Sequence, residues 1–200
     1  MHIYLATEDQ LSEAVGERLV NETGGRLQVC VRMGRRGNAH LKAKLPELSR
    51  LANSVPVMLL TDLDRIDCPP TLIRNWLGRR ALPDDLLFRV AVRETEAWLM
   101  ADLEGFADFT GVPPDRLPRE PETLADPKET LVNLVRRHGR AKIRSEVVPP
   151  LGSRAKVGLG YNAVLCEFVR DQWSPERAAP VTESLARARH RLGELAGRHA

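Results

Sequence analysis

Cysteine is scarce and unpatterned in this 200-residue chain: Cys30, Cys68 and Cys166 are scattered and odd in number. No Cys-x-x-Cys and no His-x-x-x-His spacing occurs, which argues against a structural zinc site. Such thiols fit a reduced, cytoplasmic setting. No apolar run approaches the roughly 18–20 residues of a membrane span, so no membrane association is expected. The start, Met1-His2-Ile3-Tyr4-Leu5, has no basic segment and meets acid at Glu8 and Asp9, unlike a signal peptide. No Walker A motif is present, which excludes a P-loop ATPase. Gly158-Leu159-Gly160-Tyr161-Asn162-Ala163 matches a dinucleotide fingerprint by letters alone. No strand precedes it and no acid follows at the right distance, so a dinucleotide site is rejected.

Hydrophobic residues make up 42% and charged residues 28%, a balance that can bury a proper core and is not that of a disordered chain. The length suits one domain, or one domain with a substantial appendage. Charge is unevenly spread. Residues 1–60 carry a net +2, residues 61–102 a net −2, residues 103–127 a net −4 and residues 128–200 a net +7. A basic final third permits a polyanionic partner, although an arginine-rich solvated face has the same look.

The first hundred residues alternate apolar runs with helical periodicity. Strands are expected at 2–6, 27–31, 55–61 and 86–92, and helices after each. Thr7 is read as the cap of the first helix, with Gln10 as its capping-box partner. Pro46 is expected to kink or split the second helix, 39–52. A short helix at 71–78 and another over 94–102 complete the series. This order predicts an α/β fold: an open parallel sheet of about four strands flanked by helices. Residues 1–105 form this domain. Residues 106–127 read as a proline-rich acidic connection without regular structure. Residues 128–200 read as a basic, mainly helical C-terminal region packed on the domain. There Asp126-Pro127-Lys128-Glu129 is a strong helix start, and further helices are expected at 161–170 and 182–196.

In an open parallel sheet, ligands bind outside the carboxyl ends of the strands. Glu8 follows the first strand, Asp62 and Asp64 follow the third, and Glu94 and Glu96 follow the fourth. Converging carboxylates raise one another's pKa unless a positive charge lies between them. A hard divalent cation, Mg²⁺ or Mn²⁺, is the usual solution, and few carboxylates suffice because magnesium keeps several waters. Each acid alone has an ordinary explanation as a turn or first-turn residue. Their placement after three strands of one sheet favours a metal site.

Glu8 after the first strand and Asp62-Leu63-Asp64 after the third resemble the TOPRIM domain of topoisomerases, bacterial primases and OLD-type nucleases. The chain more closely resembles a family of standalone TOPRIM-like bacterial proteins of unknown function. The resemblance lies in residues 4–15, 34–38, 60–65, 91–102 and 126–129, with further matches at 160–162 and 184–187. It implies a metal-dependent nuclease acting on nucleic acid phosphodiesters, an effector of the phage-defence kind, with an ABC- or AAA-type ATPase as partner. It implies Glu8 as general base or metal ligand, and Asp62, Asp64 and Glu96 as ligands, with Glu94 as the substitute for Glu96. The sequence departs from the broader pattern at Thr7, where a glycine often stands.

Two basic stretches suit the same chemistry. Gly34-Arg35-Arg36-Gly37-Asn38 is a glycine-bounded loop at the same sheet edge, able to hold a phosphate through Arg35, Arg36 and the helix start at Asn38, or to be an ordinary exposed connection. Residues 128–156 hold eight basic side chains against Glu129 and Glu146. Lys128, Arg136, Arg137, Arg140, Lys142, Arg144 and Lys156 would line a nucleic-acid groove, or form a solvated helix face. No aromatic residue stands among them to stack bases. Lys128 is also expected to neutralise charge on a phosphoryl group. The alternative function is a non-catalytic regulatory subunit that binds nucleic acid or an ATPase. A homo-oligomer is compatible with the sequence.

Overall fold

The computed structural model describes residues 1–198. Four strands, β1 (His2–Thr7), β2 (Gln28–Gly34), β3 (Val57–Asp62) and β4 (Leu86–Ala91), form one parallel sheet in the order β2-β1-β3-β4. Helices α1 (Gln10–Asn21), α2 (Asn38–Leu51) and α3 (Pro69–Leu77) connect them. After β4 the chain is mainly helical: α4 (Thr95–Ala101), α5 (Leu103–Thr110), α6 (Pro127–His138), α7 (Ala141–Val147), α8 (Tyr161–Asp171), α9 (Pro175–Ala178) and α10 (Glu183–Arg198). No helix among the described residues is long and apolar enough to cross a membrane.

The period of two along the strands assigns side chains to two faces. Ile3, Leu5, Met58, Leu60 and Leu87 point to one face, where α1 and the later helices bring Trp98, Phe168, Trp173 and Leu192 into a single core. Ala6, Leu59, Phe88 and Val90 point to the other face and pack under Leu41, Leu45 and Trp76 of α2 and α3. The C-terminal helices are therefore the covering layer of one sheet face. Trp98 and Trp173 are fully buried and tied together, since Trp173 Nε1 donates to the Trp98 carbonyl at 3.1 Å. This is the core role that an indole with a satisfied N–H performs.

Several local expectations shift. Asp9, not Thr7, caps α1: its carboxylate accepts from Ser12 N at 2.8 Å, and Ser12 Oγ accepts from Asp9 N at 3.1 Å. Thr7 stays in the sheet, paired with Gly34 and Leu60. β2 extends three residues past Val31 because β1 continues to pair with it up to Thr7. Pro46 lies within a continuous α2. The expected 94–102 helix ends at Ala101, and buried Asp102 starts α5 by accepting from Gly105 N at 3.2 Å while pairing with Arg177. Residues 106–127 are not without regular structure. They hold the end of α5 and two 3₁₀ turns, Pro114–Arg116 and Pro121–Thr123, each opened by a proline. Asp126, Pro127 and Glu129 start α6 as expected, with Asp126 accepting from Glu129 N at 2.8 Å.

Candidate active site

The acidic residues meet at the carboxyl edge of β1, β3 and β4. Glu8 leaves β1 and crosses toward β3, where its Oε1 accepts from the Thr61 hydroxyl and from Asp62 N, the latter at 3.0 Å. Asp62, the last residue of β3, uses Oδ1 to accept from Thr95 N at 2.9 Å and Thr95 Oγ1 at 2.8 Å. Glu96, in the first turn of α4, is buried; its Oε1 accepts from Tyr161 Oη at 2.7 Å and lies 3.4 Å from Lys128 Nζ. Glu94 Oε2 accepts from Lys128 N at 2.8 Å.

One pattern runs through this set. In Glu8, Asp62 and Glu96, one carboxylate oxygen takes all the protein's hydrogen bonds and the other takes none among the described residues. A sealed, unpartnered oxygen is costly. The sealed and unpartnered side-chain polar atoms of the described residues are Ser49 Oγ and Arg89 Nε, so the second carboxylate oxygens retain access to solvent. One oxygen fixes the position of each acid, and the other stays available.

Electrostatics agree with this convergence. Burial pushes the Asp62 carboxyl well above its usual range, and the neighbouring Glu96 and Glu8 push it further. Burial also raises Glu8, against the hydrogen bonds from Thr61 and Asp62 that work to lower it. Glu94 is raised by burial and by Glu96. Lys128 responds in the opposite sense: burial disfavours its charge, yet Glu96, Glu94 and Asp62 outweigh burial and hold it protonated. Tyr161 is raised by burial and by Glu96, so its phenol remains a donor.

Asp64 sits just outside this group. It is exposed, in the left-handed region at φ 52°, and accepts from Asn38 Nδ2 at 3.1 Å. Asn38 thus reaches the acidic edge through Asp64. Arg93 clamps the same loop, donating from Nη1 to the carbonyls of Asp64 at 3.3 Å and Ile66 at 2.8 Å. Gly34 makes the approach of the β2 loop possible: at φ +121°, an added Cβ would stand 1.9 Å from the Thr7 carbonyl oxygen.

The basic candidates divide. Arg35 turns away to pair with Glu13 on α1, its Nε 2.9 Å from Oε2. Arg36 is exposed beside it. Lys128, Arg136 and Lys156 line one cavity of about 540 Å³ that also touches Glu94. Arg137, Arg140, Lys142 and Arg144 are exposed and lie outside its lining. Arg140 lays its stem against Gly111, where a Cβ would meet Arg140 Cγ at 2.6 Å.

Sequence reasoning did not single out Thr61, Thr95, Arg93 or Tyr161 for the site. Thr61 and Thr95 each stand next to a named acid and had a local signal. Tyr161 lies 65 residues beyond Glu96, and its only signal was the resemblance at 160–162, which assigned it no role.

All-oxygen, all-carboxylate donors with free second oxygens suit a hard cation that keeps its own waters. Among the described residues, no three His, Cys, Asp or Glu side chains are placed to hold one metal ion together. The donor chemistry thus fits a water-rich magnesium or manganese ion held by one or two carboxylates, and not a closed protein cage.

Compared with protein-family models, curated proteins and solved structures, the chain matches none. The four-stranded parallel sheet in the order 2-1-3-4 is consistent with Rossmann-like and TOPRIM-like folds.

Proposed function

We propose that the protein is a divalent-metal-dependent phosphodiesterase of TOPRIM type that cleaves nucleic acid. The observation that carries this reading is the half-engaged state of Glu8, Asp62 and Glu96: each has one oxygen pinned by protein donors and one left free, at the edge where parallel sheets bind ligands. Glu8 and Asp62, with Glu96 beside them, would hold Mg²⁺ or Mn²⁺. Bound there, the cation supplies Lewis-acid polarisation of a phosphoryl oxygen and a more acidic attacking water.

The chain's own residues supply the rest. Thr61 and the Asp62 amide orient Glu8, and burial gives its free oxygen a raised affinity for a proton. That oxygen, Oε2, is the one Glu8 would offer to the ion. Thr95 fixes Asp62, and Tyr161 fixes Glu96. Lys128, held protonated by the surrounding carboxylates, stabilises negative charge developing on the phosphoryl oxygens. Asn38 and Arg93 shape the Asp64 loop at the rim of the site.

The ion pair of Lys128 with Glu96 favours the second reading, a regulatory subunit that docks on nucleic acid or an ATPase. A built-in ammonium partly neutralises the acidic cluster without a metal. One experiment separates the two. Mn²⁺ and Mg²⁺ are titrated calorimetrically into wild type and Asp62→Asn, and the same samples are assayed on DNA and RNA. The nuclease reading expects metal binding that the variant loses, with metal-dependent cleavage by wild type alone. Absence of metal binding at millimolar concentration overturns it.

A further inference from the structure

The cavity that Lys128 shares with the acidic centre runs along α6 and is closed on its far side by residues 149–156. Lys128 and Arg136 stand eight residues apart on one helix face, with core-buried Val132 between them, so the wall carries a cation at each end over about 12 Å. The opposite wall brings Pro149, Leu151 and Lys156. Leu151 is as exposed as a leucine in an extended peptide, at 106%, and packs against no core. A fully exposed leucine at the mouth of a cavity gains by covering an apolar ligand face.

Three carboxylates also line the cavity. Asp126 and Glu94 are both engaged by α6 backbone N–H groups, at 2.8 Å each. Glu129 is exposed in the first turn of the helix. All three belong to the end nearest the acidic centre, and Arg136 lies two turns farther on. The cavity is polarised, with its acidic end at the reacting edge and an arginine fork at the other.

We infer, on the basis of the phosphodiesterase reading, that this cavity takes one unpaired nucleotide next to the scissile phosphate, so that the substrate class is single-stranded nucleic acid or an unpaired strand end. A volume of about 540 Å³ is that of a small-ligand site and admits one nucleotide, not a duplex. A base lodged there has left its partner. The neighbouring phosphate meets Arg136 and Lys156, and the base lies against the Pro149–Leu151 wall. No aromatic ring lines the cavity, so contact with the base is aliphatic and tolerant of its identity.

The test is binding of fluorescein-labelled oligonucleotides in EDTA, where affinity is read without turnover. Single-stranded DNA, single-stranded RNA and blunt duplex DNA are compared for wild type, Leu151→Asp and the double variant Arg136→Gln, Lys156→Gln. These side chains are exposed, so the fold tolerates the changes. Wild type is expected to prefer a single strand over duplex. Leu151→Asp should weaken single-strand binding roughly tenfold, the loss of one covered leucine contact. The double variant should lower the slope of log affinity against log salt by about 1.4, the value for two lost phosphate contacts on a single strand. The DNA and RNA arms distinguish the sugar. Equal affinity for duplex and single strand, or variants that bind as wild type does, overturns the inference. Metal-dependent cleavage is assayed on the same oligonucleotides. If the preference and its loss in the variants hold while no metal supports cleavage, the nucleotide site stands and the nuclease reading fails. If cleavage occurs on duplex and single strand alike and the variants bind unchanged, the nucleotide site fails and the nuclease reading stands.

Discussion

Lys128 places its ammonium 3.4 Å from the buried Glu96 carboxylate, and its backbone N–H holds the neighbouring Glu94 at 2.8 Å. One residue at the start of α6 therefore ties the helical C-terminal part to two acids that follow β4. Removing one partner of a buried ion pair leaves the other uncompensated. Lys128→Gln is expected to destabilise the protein by about 1–3 kcal/mol, less than for a fully buried pair because a third of the Lys128 side chain is exposed. Mn²⁺ should then raise the melting temperature more in Lys128→Gln than in wild type, since the ion replaces the missing charge. Thermal denaturation of both proteins with and without Mn²⁺ checks this.

The acidic cluster reverses the usual pH dependence of carboxylates. Burial raises Asp62, Glu8 and Glu94 above their unfolded values near 4. Over the window between those values and the raised ones, the folded state binds more protons than the unfolded chain. Stability therefore falls as pH rises through the window, and the stabilisation is fully present below it. Urea midpoints measured from about pH 4 to pH 8, taken as the difference between wild type and Asp62→Asn, isolate this contribution. Wild type should lose stability relative to the variant as pH rises. Asparagine keeps an Oδ1 acceptor for Thr95, so the variant should be the more stable protein at neutral pH without metal. It should also lose metal-dependent cleavage.

Tyr161 acts through Glu96. Tyr161→Phe removes the hydroxyl that donates to Oε1 and keeps the ring in the core. The expected cost is about 1.5–3 kcal/mol, the range for a hydrogen bond to a charged group. Metal affinity should fall in the same variant because Glu96 loses one of its two fixed partners. Chemical denaturation and metal titration read the two effects separately. Wild-type metal affinity in the variant would show that Tyr161 serves the fold alone.

Gly34 is needed where β2 ends against β1. Gly34→Ala combines a positive φ with a Cβ 1.9 Å from the Thr7 carbonyl oxygen. A cost of about 3 kcal/mol or more is expected from strain and displaced backbone. The neighbouring Glu8 would shift with Thr7, so metal affinity should drop along with stability. Gly37, also at positive φ but with open space around its missing Cβ, provides the control: Gly37→Ala should cost less.

Much of this fold was readable from local pattern. The near-continuous apolar run of β3 marks a strand buried on both faces, and Asp126-Pro127 marks the start of α6. Errors clustered at boundaries, where two local signals compete. Thr7 and Asp9 are both good helix caps, and pairing of Thr7 with Gly34 and Leu60 keeps Thr7 in the sheet and leaves the cap to Asp9. The proline-rich stretch looked structureless because proline removes donors. In the folded chain two of those prolines, Pro114 and Pro121, open 3₁₀ turns, and Glu122 accepts from Glu183 N and Ser184 N, each at 3.0 Å, at the start of α10.

The sequence by itself determined which acids follow which strands, because strand periodicity and the C-terminal edge of a parallel sheet depend on local order. It could not determine which oxygen of each acid is engaged, nor that Tyr161 and Lys128 meet at Glu96. Those contacts join residues 32 to 65 positions apart, and only packing of the C-terminal helices against one sheet face brings them within hydrogen-bonding distance. The basic residues show the same division. Composition placed them in one stretch, but the turns between α6, α7 and residues 149–156 decided that Lys128, Arg136 and Lys156 share a cavity while Arg137, Arg140, Lys142 and Arg144 do not.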